Sequence, residues 1–204
     1  MRIFFKRGEQ QMCKKIREVN SLTPQIILER YWNKQIPVSI KQILTDIGVR
    51  FSEYNLKPLE ESLKLRKSDA ILGMAISVGD DLGILYSPGI DKNALNYVLA
   101  HEFAHCCLHM KPTEKFHVEM KLSDDLYSRS SNTSFLAGYK HSHKEVQADR
   151  FAADLLIPTD ALLEFFCSNA TQNVDSIARH FRVSKEIVRL KIMNLKRSKE
   201  CDSK

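Results

Sequence analysis

The stretch LAHEFAHCCLH at residues 99–109 restricts the fold of this chain more than any other. His101 and His105 lie four residues apart, so on an α-helix they stand one turn from each other on the same face, and their ring nitrogens can converge on one cation. Glu102 would lie on the adjacent flank, where its carboxylate can accept a proton from a water held by that cation. The competing interpretation is a buried helix that happens to carry three polar side chains, because an H-E-x-x-H pattern alone is only moderately specific.

A catalytic metal site of this kind needs a third protein ligand and one open position. We predict Glu145 as that ligand, because Glu145 and Asp149 again stand four residues apart on one face of a predicted helix. Small residues make this helix slim enough to pack closely on the first, namely Ala148, Ala152 and Ala153. Asp149 would then accept the remaining N–H of a ligand histidine; the alternative is an ordinary exposed acid. The main alternatives for the third ligand are His109, His141 and His143, and the further candidates are His117, Asp124 and Asp125.

Two imidazoles and one carboxylate predict one zinc ion per chain as the cofactor, although manganese and iron accept the same ligand set. The five cysteines do not offer a better site, because the sequence contains no C-x-x-C pair. Cys106 and Cys107 directly follow His105, but on a helix they point roughly 100° and 200° away from it. We therefore predict that both are small core-facing residues.

The composition predicts one folded unit with at most a small appendage, since the chain has 204 residues of which 43% are hydrophobic. No apolar run approaches the roughly 18 residues that a membrane span requires. The first residues, MRIFFKRGEQQ, lack the apolar core of a signal peptide. We expect a soluble, cytoplasmic protein with reduced cysteines and no membrane partner.

The apolar spacing in the first part of the chain predicts helices followed by a small sheet. Two short helices are expected within residues 10–34, and a third helix should end at Gly48 and lead into a strand. Residues 70–86 hold two apolar runs separated by Gly79-Asp80-Asp81, which predicts a β-hairpin.

The second part is predicted to be helical apart from one polar segment. Asp91 is placed to cap the helix that carries the H-E-x-x-H motif, and this helix should run to about Met110. Residues 111–142 are polar, and we expect irregular structure there, such as an insertion or a lid. Further helical segments are predicted over residues 144–157, 159–169 and 174–196.

These elements predict an α+β fold. Its mainly helical core should carry a small antiparallel or mixed sheet of about three strands, packed on the helix with the H-E-x-x-H motif. We predict a domain over residues 1–165 that contains the N-terminal helices and the metal site. Residues 166–204 are expected to form a C-terminal helical segment that packs on the same domain.

The C-terminal segment is basic: residues 179–204 hold nine Lys or Arg and three acids, so they carry the whole net charge of +6. The stretch DSIARHFRVSKEIVRLKIM has the outline of a DNA-binding helix-turn-helix. Against that interpretation, Arg182 stands where the turn usually has glycine, and Lys191 stands where an apolar residue would pack. We therefore favour a packing or partner-docking role, with direct DNA binding as the alternative.

Four stretches together resemble the ImmA/IrrE family of metallopeptidase-like proteins over residues 10–195: IPVSIKQILTDIGVRF, GILYSP, NYVLAHEFAHCCLH and EVQADRFAADLLIP. The resemblance implies a zincin-like core and a cytosolic bacterial or phage protein. Such a protein acts as an anti-repressor: it cleaves a helix-turn-helix transcriptional repressor and releases genes of a mobile element or a stress response. The E-x-x-A-D order from Glu145 to Asp149 is also similar to the helix that supplies the glutamate ligand in gluzincin proteases, which supports Glu145 as a ligand.

We therefore predict a zinc metalloendopeptidase in which Glu102 is the general base and Asp149 supports a ligand histidine. The predicted metal ligands are His101, His105 and Glu145. One alternative is a metal-stabilised interaction protein without catalysis. The other is a DNA-binding regulator, whose important residues would include Arg179, Arg182, Lys185 and Arg189. The sequence does not select the oxyanion-stabilising group among Tyr127, Tyr139, His141 and His143.

Overall fold

The computed structural model describes residues 16–65, 70–111, 113–122, 143–168 and 173–202. It begins with two short helices, α1 (Ile16–Val19) and α2 (Pro24–Tyr31). The Thr23 side chain accepts a hydrogen bond from the backbone N–H of Ile26, and Pro24 occupies the first turn of α2, where its missing N–H costs nothing. The prediction of two short helices is confirmed.

Helix α3 (Ile40–Ile47) begins at a Ser39 cap and ends at Gly48, which adopts the left-handed conformation with φ 85°. A glycine adopts this conformation without steric cost, so the sequence signal for the end of the helix was sound. Strand β1 (Arg50–Glu53) follows as predicted. Helix α4 (Lys57–Ser62), which the apolar spacing did not predict, leads toward the sheet.

The predicted hairpin is present as β2 (Ile71–Gly79) and β3 (Asp81–Tyr86), an antiparallel pair in which Val78 lies opposite Asp81. Strand β1 pairs with β3 in parallel, and strand β4 (Thr113–Leu122) pairs with β2 antiparallel. The described strands form one mixed sheet in the order β1-β3-β2-β4.

Strand β4 corrects one expectation. Residues 111–142 were expected to be irregular because they are polar, but residues 113–122 form a full strand of this sheet. The sequence KFHVEMKL alternates apolar and polar residues, which is the period of a strand with one apolar and one polar face. The prediction of irregular structure rested on the polar composition of the whole segment and did not take this alternation into account. Residues 123–142 lie outside the described part of the chain.

Helix α5 (Lys92–Leu108) lies against the sheet and forms the centre of the core. Its N-cap is Asp91, whose side chain accepts hydrogen bonds from the backbone N–H groups of Asn93 and Ala94, as the sequence predicted. Nearly all of its residues from Leu95 to Cys107 are buried. The predicted α+β fold, with a mixed sheet packed on this helix, is confirmed; its sheet has four described strands where about three were expected.

Four helices complete the described chain: α6 (His143–Leu156), α7 (Thr159–Ser168), α8 (Val174–Phe181) and α9 (Lys185–Asp202). Phe181, Val188 and Leu190 from the last two helices belong to the same buried cluster as α5 and α6. Lys191 is also buried, and its Nζ lies 2.9 Å from Asp154 of α6 and 3.0 Å from the Thr159 hydroxyl of α7. Lys191, which stands where the sequence pattern expects an apolar residue, therefore links α9 to α6 and α7 by hydrogen bonds.

Helix α7 spans the predicted domain boundary between residues 165 and 166. Phe165 of this helix packs on both His180 and Phe181 of α8. The division into two parts remains a prediction. No helix in the described residues combines the length and apolar character that a bilayer crossing requires.

Candidate metal centre

Helix α5 places its polar side chains on one face because of their spacing. Tyr97, His101 and His105 follow one another at intervals of four residues, so they form a stripe along the helix. Each imidazole is 0% exposed, and the Tyr97 side chain is buried as well. Neutral polar rings buried to this degree need hydrogen-bond partners or a ligand.

Helix α6 supplies the facing carboxylates. Glu145 and Asp149 lie one turn apart, and three alanines of the same helix are completely buried: Ala148, Ala152 and Ala153. Small side chains let two helices approach closely, so the short side chain of Asp149 can reach His101 directly. The close packing of α5 and α6, predicted from these alanines, is confirmed.

The three predicted ligand groups converge on one point. The Nε2 atoms of His101 and His105 lie 3.0 Å apart, and each lies 3.1 Å from one oxygen of the Glu145 carboxylate. Among the described residues, these three are the group whose ligand atoms lie close enough to one another to hold a metal ion, all within 4.8 Å. The predicted ligand set is therefore brought together by the fold.

The chemistry of this donor set fits a metal cation. Lone-pair atoms about 3 Å apart repel one another unless a proton or a metal ion lies between them. Four-coordinate zinc with bonds of about 2.0–2.1 Å separates its ligand atoms by about 3.3–3.4 Å, so the three residues would need to move by only a few tenths of an ångström. Two imidazoles and a carboxylate are also the ligands that catalytic zinc sites commonly use.

Asp149 holds His101 in the orientation that binding requires. Its Oδ1 lies 2.8 Å from Nδ1 of His101 and accepts a 2.5 Å hydrogen bond from the Tyr97 hydroxyl. A carboxylate oxygen only accepts, so Nδ1 carries the proton and leaves Nε2 of His101 directed at the ligand cluster. Asp149 is 1% exposed, which excludes the alternative of an ordinary surface acid.

The charge state of Glu145 follows from its neighbours. Burial alone would raise the pKa of this carboxyl, but when Nε2 of His101 and His105 is protonated, the hydrogen bonds and positive charge of the two rings hold the pKa well below its usual range. The side chain is 16% exposed, so one edge of the carboxylate still faces solvent. Glu145 is therefore anionic at neutral pH, as a metal ligand must be.

Glu102 is 0% exposed and lies against the sheet at Gly73 of β2. A Cβ atom at position 73 would stand 2.9 Å from Cγ of Glu102 and 3.0 Å from its Oε1, and 2.5 Å from a methyl carbon of Val98. Only a residue without a side chain leaves room for the Glu102 carboxylate in this position. Gly73 is thus part of the wall of the site.

The other sequence candidates have different surroundings. Nε2 of His109 donates to the backbone carbonyl of Lys144 at 3.1 Å, and His143 is an exposed residue at the start of α6. His141 lies outside the described residues, as do Tyr127 and Tyr139, two of the proposed oxyanion-stabilising groups.

Cys106 and Cys107 are buried core residues, as predicted. Burial raises the pKa of the Cys107 thiol, and the neighbouring Cys106 raises it further. Both observations fit unreactive thiols in the core.

Sequence analysis missed two residues of this site. Tyr97 could have been found from its position four residues before His101, on the same face of α5. Gly73 had no local signal, because its importance comes from a contact between a strand and a helix that lie 29 residues apart in the chain.

One comparison with known proteins gives a match. The family model Peptidase_M78, described as the IrrE N-terminal-like domain, matches residues 83–193, which is just over half of the chain and contains all five predicted site residues. A search of curated proteins and a search of solved structures gave no match.

Proposed function

Because the chain belongs to the Peptidase_M78 family of IrrE N-terminal-like domains, we propose that it is a zinc-dependent endopeptidase that cleaves a helix-turn-helix transcriptional repressor in the cytoplasm. One observation carries the catalytic part of this proposal. Three ligand groups converge within hydrogen-bond distance of one another, and the next residue after the first histidine is a completely buried glutamate. The repressor as substrate follows from the resemblance of the sequence to the ImmA/IrrE family.

Zinc is the metal that we propose, at one ion per chain, held by His101, His105 and Glu145. A catalytic zinc site has three protein ligands and one open position, which is the number of groups that α5 and α6 bring together. Manganese and iron are the competitors, because both accept two histidines and a carboxylate.

The bound metal would polarise the scissile carbonyl and make a water molecule acidic enough to attack it at neutral pH. Glu102 would accept a proton from the attacking water as the new C–O bond forms, and it would then pass that proton to the nitrogen of the leaving amine as the peptide C–N bond breaks. Asp149 keeps His101 in the correct tautomer, and Tyr97 holds Asp149 in place through its hydroxyl.

The test of the catalytic proposal replaces Glu102 by glutamine in the zinc-loaded protein. We expect Glu102→Gln to bind zinc normally and to cleave peptides from a digested proteome at least about 100-fold more slowly, because the amide cannot accept the proton. Glu53→Gln, the same change at an exposed position of β1, is the matched control and should cleave at the wild-type rate. Equal cleavage by Glu102→Gln and the wild type would contradict the assignment.

The proposed substrate class requires a measurement in cells. New protein N-termini can be labelled and identified by mass spectrometry in cells that produce the wild type or Glu102→Gln. We expect an N-terminus inside a helix-turn-helix repressor that arises only with the wild type. If the new N-termini fall only in proteins of other classes, the chain is a peptidase with a different substrate.

A further inference from the structure

A cavity of about 940 Å³ lies between the N-terminal half of α5 and the turn that joins α8 to α9. Its size is in the range of ligand-binding pockets. The residues that matter for its chemistry are Asp91, Tyr97, Asp175, Arg179, Arg182 and Lys185. None of the three proposed metal ligands lines this cavity, but Tyr97, whose hydroxyl donates to Asp149, does.

The cavity lies in line with the metal centre along α5. Ala94 and Tyr97 line it, and both belong to the same helix face as His101. At a rise of about 1.5 Å per residue, these two positions lie about 10 Å and about 6 Å before His101 along the helix axis. An extended peptide advances about 3.3 Å per residue, so the cavity lies two or three residues away from a bond positioned beside His101.

The cavity carries an excess of positive charge. Its two acids are engaged: the Asp91 carboxylate caps α5, and Asp175 lies 2.9 Å from Nζ of Lys185. Neither Arg179 nor Arg182 forms an ion pair with any residue that the structure describes. The Nε of Arg179 donates a 3.4 Å hydrogen bond to the backbone carbonyl of Asp175. The terminal nitrogens of Arg179 and the guanidinium of Arg182 therefore remain available to a ligand.

A second cavity of about 520 Å³ extends this charged surface. It shares Asn93 and Arg182 with the first cavity, and it adds Lys41 and Lys92 to the lining. Arg182 thus lies at the junction of the two cavities. Anionic groups are the ligands that such a surface attracts.

Arg182 ends helix α8 in a left-handed conformation. Its φ of 53° is left-handed, a conformation that glycine adopts at lower cost. The chain carries an arginine here nevertheless, and its side chain is exposed at the cavities. Arg182 is the C-cap of α8, and its N–H bonds the carbonyls of Ala178 and Arg179, so the left-handed conformation ends the helix and leaves the side chain at the cavities.

We propose that this cavity is a substrate subsite that binds an acidic side chain of the peptide, two or three residues from the cleaved bond, through Arg179 and Arg182. This inference rests on the proposed peptidase function and names a sequence preference for it. It also assigns a role to the basic turn of the C-terminal helices that differs from DNA binding, because the turn faces the helix that carries the metal ligands.

The test measures which peptides of a digested proteome the zinc-loaded protein cleaves. We expect aspartate or glutamate to be enriched at a fixed position two or three residues from the cut. The double variant Arg179→Gln/Arg182→Gly should lose this enrichment by about three- to tenfold while it still cleaves neutral peptides. Glycine suits the left-handed position, so the variant should fold. The matched control is Arg189→Gln, a half-exposed arginine of α9 that is paired with Glu186 and does not line the cavity.

Cleavage without an acidic preference, or a preference that the double variant retains, would overturn the subsite.

A binding measurement separates this failure from a failure of the proposed function. Fluorescein-labelled Gly-Glu-Glu-Ala-Leu-Ala-Gly, its Gln-Gln analogue and a 20-base-pair DNA duplex are titrated with zinc-loaded Glu102→Gln. Tighter binding of the Glu peptide, lost on adding the double substitution, supports the subsite even if the wild type cleaves nothing. Binding of the duplex alone would assign the arginines to phosphate and overturn the proposal.

Discussion

At the scale of single residues, Gly73 leaves the space that the side chain of Glu102, the proposed general base, occupies beside the sheet. A Cβ at position 73 would overlap a methyl group of Val98 and press on the Glu102 side chain. We predict that Gly73→Ala costs about 1–3 kcal/mol of stability, because an overpacked core must shift. We also predict that it slows peptide cleavage more than tenfold with zinc content unchanged, since the displaced carboxylate no longer reaches the attacking water.

The control for this prediction is Gly89→Ala. Gly89 has a positive φ of 78°, but nothing lies within 4 Å of a Cβ placed there. This variant should lose about 1 kcal/mol from backbone strain and keep its rate of cleavage. Denaturation curves, zinc content and cleavage rates of both variants test the account, and an active Gly73→Ala protein would refute it.

Asp149 is the residue that we expect to control metal affinity without touching the metal. Asp149→Asn removes the charge that orients His101, so the affinity for zinc should fall about 10- to 100-fold. Titration against a competing chelator measures this change. Asp46→Asn, the same change at an exposed position of α3, should leave the affinity unaltered. If Asp149→Asn binds zinc as tightly as the wild type, Asp149 is not a supporting group.

Sequence analysis predicted the site residues that are spaced one helical turn apart on the same helix. The intervals from His101 to His105 and from Glu145 to Asp149 both equal one helical turn, so each pair could be placed on one face before its partner was known. Joining the two pairs required the resemblance or the structure. Gly73 could not be found, because nothing near it in the chain indicates that a glutamate 29 residues later will occupy the space beside it.

At the scale of elements, Lys191 fixes the position of α9. Its side chain is buried, and its ammonium group donates hydrogen bonds to the partly exposed Asp154 and to the hydroxyl of the exposed Thr159. We predict that Asp154→Ala destabilises the protein by about 2–4 kcal/mol, because it leaves a buried charge without its counter-ion. Lys191→Met, which removes the charge and keeps most of the volume, should change stability by less than about 1 kcal/mol. Urea denaturation distinguishes the two variants, and an equal loss of stability in both would show that the charge pair is not what matters.

The boundaries of elements were predictable where a cap marks them. Two side chains accept hydrogen bonds at the start of a helix, those of Ser39 and Asp91, and the left-handed backbone of Gly48 ends a helix. Each of these residue types is preferred at such a position, so the sequence marks the boundary. Strand β4 was not predicted, because a polar strand gains its stability from pairing with β2, and that partner is distant in the sequence. The alternation of apolar and polar residues over 115–122 is the local pattern that indicates this strand.

At the scale of the whole molecule, the site depends on three layers in a fixed order. The sheet supplies the wall at Gly73, α5 supplies two proposed ligands and the buried glutamate, and α6 supplies the third proposed ligand. The parallel pairing of β1 with β3 could not be predicted, because strand order follows from how helices cover the sheet and not from a local pattern. The α+β class followed from the alternation of helical and extended patterns.

Metal content tests the central claim most directly. Wild type and Glu145→Ala are purified without chelating steps, supplied with zinc, and analysed by elemental mass spectrometry. If three residues hold the ion, we expect about one zinc ion per wild-type chain. We expect Glu145→Ala to lose most of its zinc, because two imidazoles alone bind zinc weakly. A wild-type chain that binds no zinc, or a Glu145→Ala chain that binds it fully, would contradict the metal centre built by α5 and α6.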